Sequence, residues 1–146
     1  MNHNDPNFDW VAERAKCSAN EVYRCLALQV ERDVKARNGV LSGKEQQYEV
    51  NFIFSGSPDS ASLTVTARTG GRFLGERSLA SVIFTKIPEG ILAVYADGKE
   101  ISGLLTLSQE GECRLRVNDN AEYSFWQFRK LTLEPIFFDA VREFRP

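Results

Sequence analysis

The run SANEVYRCLALQVERDVKAR, Ser18 to Arg37, decides how this chain is read. Spaced about 100° apart, as on a helical wheel, its apolar positions gather on one side. Ala19, Val22, Tyr23, Leu26, Ala27, Val30 and Val34 share one arc, while Glu21, Arg24, Glu31, Arg32 and Lys35 lie opposite. This is the period of a helix that buries one face. Ser18 and Glu21 have the spacing of a capping box, Cys17 and Val22 that of a hydrophobic staple, and Asn38-Gly39 supplies a stop. A helix is predicted over 18–37. Leu28 breaks the pattern on the polar side and is a candidate contact residue.

Outward from that helix the period changes to two. Tyr48, Val50, Phe52 and Phe54 alternate with Glu49 and Asn51, and Leu63, Val65 and Ala67 alternate with Ser62, Thr64, Thr66 and Arg68. Further strands are predicted at 81–87, 91–96, 100–107 and 112–117, with Asp97-Gly98 as a two-residue hairpin turn. The last strand is read as long, 121–133. Residues 135–144 return to a helical arc, with Pro135 at the first position and Arg142 and Arg145 near the end.

Short connections make neighbouring strands antiparallel. The sheet has one apolar face and one face of Thr, Arg and Glu, so it needs a covering layer. The expected fold is therefore α+β: a two-layer sandwich. An antiparallel meander sheet of about six or seven strands carries the N-terminal helix (about 18–37) and a short C-terminal helix (about 135–144) on one face. Residues 1–7 read as a flexible tail and 8–146 as a single domain. Phe8 to Cys17 fits either a short strand or a helical turn. The order of elements is similar to that of frataxin-like and helix-grip folds. That likeness concerns layout, and with no motif of either family matched it implies no function.

Composition limits the chemistry. The chain has 146 residues, 18 Lys and Arg against 20 Asp and Glu, and a net charge of −2. Charges of both signs are spread evenly along the chain, with no basic arm or acidic tail, which does not indicate nucleic acid or anionic lipid as a partner. The single histidine, His3, leaves Ser-His-Asp and Cys-His pairs without a base, and histidine-based zinc sites without ligands. No catalytic kit, cofactor or metal is expected. Cys17, Cys25 and Cys113 are odd in number and lack C-x-x-C spacing. With no apolar leader or span, they point to reduced thiols and a cytoplasmic location.

Three groups of residues remain as candidate sites. Arg68, Arg72 and Arg77, in and beside a glycine-containing loop, could hold a phosphate or carboxylate, although the plainer reading is a solvated loop. Tyr23, Tyr48 and Tyr123 fall on the predicted inner face and could supply the polar groups of an apolar pocket between sheet and helices, or serve as core tyrosines. On the predicted last strand Trp126 and Phe128 point away from the core. With Arg114, Arg116 and Leu28 they make a candidate contact surface, because exposed aromatics beside arginine are typical of interfaces. The sequence thus suggests a non-enzymatic binding domain acting through protein association. Its partner could be a second copy. The alternative is a binder of a small apolar ligand, and an enzyme using carboxylate, Tyr or Lys chemistry is a third reading.

Overall fold

The computed structural model describes residues 6–70, 75–118 and 121–144. Three helices come first: α1 (Trp10–Lys16), α2 (Ala19–Asn38) and α3 (Gly43–Gln47). Seven strands follow: β1 (Asn51–Ser55), β2 (Ser62–Thr69), β3 (Arg77–Ile87), β4 (Gly90–Tyr95), β5 (Glu100–Leu107), β6 (Cys113–Arg116) and β7 (Glu122–Tyr123). The chain ends in α4 (Phe125–Glu134), a π turn (Pro135–Asp139) and α5 (Ala140–Glu143).

The strands form one sheet in sequence order, β1 to β7, each antiparallel to the next. This is the expected α+β meander with its helices on one face. Alternation is clearest on β2, where Leu63, Val65, Ala67 and Thr69 are all buried. Register carries the buried row across the sheet. Leu63 stands opposite Phe84, Phe84 opposite Ala93, and Leu105 opposite Leu115. Against this row α2 lays Val22, Tyr23, Leu26, Ala27, Val30 and Val34. These are the apolar arc of the sequence with only Ala19 missing. Ser18 accepts from the Glu21 backbone N–H, as the cap requires.

Two glycines set close approaches, one between neighbouring strands and one between sheet and helix. A Cβ on Gly90 would stand 2.0 Å from the Gly103 carbonyl oxygen, so β4 needs a bare backbone where it meets β5. A Cβ on Gly103 would stand 3.1 Å from the Phe128 ring, so that ring lies directly on the sheet.

The C-terminal third differs from expectation. The strand predicted over 121–133 stops at Tyr123, and α4 begins at Phe125. Ser124 accepts from the Gln127 N–H and Gln127 accepts from the Ser124 N–H, a complete capping box. Phe128, Thr132, Leu133, Ile136, Phe137, Val141 and Phe144 are buried at helical spacing. Pro135 therefore lies inside a helical run rather than at its start. It lacks an N–H and would crowd the preceding turn, and the helix widens into the π turn from this residue onward.

The N-terminal third resolves two further points. Residues 10–16 are helical, capped by Asp9 accepting from the Ala12 N–H. Tyr48 does not open the first strand. It ends α3, whose own capping box joins Ser42 and Glu45.

The expectation of three reduced thiols is corrected. Cys17, between α1 and α2, is bonded to Cys113 on β6, with a Cα–Cα distance of 5.3 Å. Residues 96 apart meet because the meander brings its β6 side to the start of α2. Cys25 remains a free, exposed thiol. No described helix is long and apolar enough to cross a membrane.

Candidate functional site

An apolar concave surface lies between two helices. From α2 and its end come Asp33, Ala36, Arg37 and Val40. From α4 and the π turn come Trp126, Arg129, Lys130, Leu133, Glu134, Phe137 and Phe138. The cleft measures about 460 Å³. Its residues follow from the two helical periods: Asp33 and Arg37 project from one side of α2, with Val40 just past its end, and Trp126, Lys130 and Leu133 from one side of α4, with Phe137 following in the π turn. Trp126 and Phe138 stay 58% and 51% exposed, so the cleft presents two aromatic rings to water.

Charge pairs tie its walls together. Arg129 reaches from α4 to α2, donating to Asp33 through Nε at 2.7 Å and to Gln29 through Nη1 at 2.8 Å. Arg37 forms the base. Its Nε donates to the Phe137 carbonyl at 2.9 Å and its Nη2 to Glu45 at 2.8 Å. Its guanidinium lies between the Phe52 and Phe138 rings, 4.7 and 4.6 Å from their centroids. Burial alone would raise the Glu45 pKa. The hydrogen bond from Arg37, that from the Ser42 N–H and the Arg37 charge outweigh it, and the carboxyl is held below its ordinary value. Lys130 and Glu134 stand 3.7 Å apart at the rim.

The outward face of the sheet is the second candidate. The core lies on the inward side, leaving Ile53 and Ile83 at 38% and 42% exposure. Across β2 to β5 the outward positions run Ser62, Thr64 and Thr66, then Ser81, Ile83 and Thr85, then Leu92 and Val94, then Ser102, Leu104 and Thr106. None is charged. Charges return at the margins, with Arg68 at the end of β2, Glu100 at the start of β5, and Arg114 and Arg116 on β6.

The candidate site residues of the sequence are dispersed. Phe128 is fully buried against Gly103 and belongs to the core, contrary to the strand-based reading that pointed it outward. Trp126 is exposed, but on α4 at the cleft rather than on the sheet. Helical spacing, not strand parity, separates the two. Arg114 lies 2.7 Å from Glu112, Arg116 stands opposite Glu122, and Leu28 is exposed on α2 away from the cleft lining. Arg68 lies 3.0 Å from Glu76, and Arg77 stacks over Phe144 at 4.9 Å. These two arginines share a shallow hollow with Ile53, Thr66 and Ser78. Arg72, like His3, is outside the described residues.

The three tyrosines do not converge. Tyr23 is buried and donates to the Ser60 carbonyl at 2.8 Å, Tyr48 meets Phe144 edge-on at 5.9 Å, and Tyr123 sits on the last strand. A fourth, Tyr95, donates to the Thr132 carbonyl at 2.7 Å. Burial and the nearby Asp97 charge push its pKa up. Sequence reasoning missed Arg37, Val40, Leu133, Phe137 and Phe138 as a group. The Ser124–Gln127 capping spacing was the signal that would have put 125–138 on a helix.

Comparison with protein families, with curated proteins and with solved structures finds no match for this chain. Among the described residues no group of three or more His, Cys, Asp or Glu side chains is placed to hold a metal ion.

Proposed function

We propose that this chain is a non-enzymatic binding domain that works by protein association through the outward face of its sheet, and that the partner is a second copy. One observation carries the reading: the central outward positions of β2 to β5, inside the charged margins at Arg68 and Glu100, hold no charge, and Ile83, Leu92, Val94 and Leu104, with Ile53 beside them on β1, stand among threonines and serines. An antiparallel face in contact with water alternates polar residues outward, so Ile, Leu and Val at those positions mark it as a contact surface. The uncharged patch would form the centre of such an interface: β2 to β5 at the usual strand spacing cover about 19 Å, and eight residues of strand about 27 Å. The ~800 Å² per partner that a stable interface takes would include the charged margins around it. A self-complementary face generates a closed two-fold dimer.

Sedimentation velocity across a range of micromolar concentrations tests this. The expected result is a concentration-dependent dimer that Ile83→Glu and Val94→Lys each convert to monomer, with the circular-dichroism melt preserved. A native chain that sediments as a monomer throughout, or an Ile83→Glu dimer, overturns it.

A second role, binding of a small apolar molecule, is favoured by the cleft between α2 and α4. A cytoplasmic location belongs to the same proposal, and the Cys17–Cys113 bond weighs against it, because cytoplasmic thiols are kept reduced. Thiol trapping in the source cell tests it: a cytoplasmic chain is expected to yield all three cysteines reduced, and a Cys17–Cys113 bond found there overturns the location.

A further inference from the structure

We propose that the α2–α4 cleft takes an elongated, uncharged apolar molecule. The inference deepens the small-molecule reading and is independent of dimerisation through the sheet. Its volume, about 460 Å³, falls within the ~300–1,000 Å³ of small-molecule sites. From Trp126 to Phe138 the helical rise sets the two Cα atoms no more than about 18 Å apart along the axis, so the cleft is a slot whose two exposed aromatic residues are about three turns apart. Leu133, Phe137 and Val40 supply apolar surface between them.

Charge decides the class of occupant. The acidic and basic groups lining the slot already have opposite partners. Asp33 holds Arg129, Glu45 holds Arg37 from behind, and Glu134 stands by Lys130. A charged ligand would lose its own hydration and either break one of these pairs or stay uncompensated, each at a cost. An uncharged ligand meets neither penalty. The walls are also set in advance. Arg37 fixes the Phe138 ring by lying 4.6 Å over it, and the Arg129–Asp33 fork holds α4 to α2, so little ordering remains for the ligand to drive.

Two matched fluorescent probes test the proposal: N-phenyl-1-naphthylamine, which is neutral, and 1-anilinonaphthalene-8-sulfonate, which has the same rings plus a sulfonate. The neutral probe is expected to saturate at one site and to bind at least tenfold tighter than the sulfonate. Trp126 emission should be quenched as it binds, read in a Trp10→Phe background. Ala36→Trp, an exposed position that projects into the slot, is expected to abolish binding while leaving the melt unchanged. Ile83→Glu is expected to leave binding intact. No saturable binding of either probe overturns the small-molecule reading itself. Equal binding of both probes overturns the uncharged class alone. Loss of binding in Ile83→Glu but not in Ala36→Trp overturns the placement in the cleft.

Discussion

Arg37 and Glu45 form a withdrawn ion pair: Nη2 and Oε2 are 2.8 Å apart, and the two side chains are 4% and 13% exposed. The pair joins the end of α2 to α3, while the same guanidinium holds the Phe137 carbonyl of the π turn. Removing one partner strands the other charge in a place water barely reaches. Arg37→Ala is expected to cost about 3–5 kcal/mol, read by urea unfolding. Replacing both partners with apolar residues of similar volume should recover much of that loss, because no charge is then left unpaired.

The same pair gives an acid limb. The folded Glu45 pKa is depressed below its ordinary 4.5, so its stabilisation is complete above that value and is lost as pH falls through the lower folded value. Unfolding free energy measured against pH should decline in that window. In Glu45→Gln the part of the decline due to this group should be missing.

Phe128 and Trp126 should separate sharply in a stability assay. Phe128 is fully buried over Gly103, and Phe128→Ala is expected to cost about 3–5 kcal/mol. Trp126 is 58% exposed, and Trp126→Ala should stay within about 0.5 kcal/mol of the native chain. Similar losses for both would contradict the helical placement of this segment.

The disulfide should stabilise through the length of chain it closes. Cys17 and Cys113 are 96 residues apart, and loop-closure entropy assigns about 4–5 kcal/mol to a loop of that order, with about 2–4 typical in practice. Reduction, or Cys113→Ser, is expected to lower the melting temperature by several degrees. Thiol counting under denaturing conditions should find one reactive group before reduction, from Cys25, and all three cysteines after it.

Tyr95 should ionise late. Burial, and then the Asp97 charge, hold its proton well above the ordinary phenol value. A raised folded pKa contributes stability below the unfolded value of 10.0 that is lost as pH rises through the folded one. Ultraviolet titration of the native chain should show a phenol that lags the ordinary value. Tyr95→Phe removes that laggard and should cost about 1–3 kcal/mol by leaving the Thr132 carbonyl without its donor.

The α2 helix was legible almost residue by residue, since its cap, arc and stop all lie on or directly beside its own twenty residues. The meander was legible for the same reason. Strand alternation and Asp97-Gly98 are short-range signals, and short links admit only antiparallel neighbours. The last strand failed because Tyr123, Phe125, Trp126 and Phe128 satisfy either period over a few residues. The choice fell to the Ser124–Gln127 cap and to burial further along, at Thr132 and Ile136.

By itself, then, the sequence determined which segments have one apolar face, and hence a sandwich of sheet and helix. Tertiary structure alone decided which distant side chains meet. Cys17 finds Cys113, Arg129 finds Asp33 and Arg37 finds Phe137 only once α2 and α4 lie on the same sheet. The reason is range. A hydrogen-bonding period or a cap is written within a few neighbouring residues. A cleft between helices about 100 residues apart depends on how the whole meander places them, and no local spacing encodes that distance.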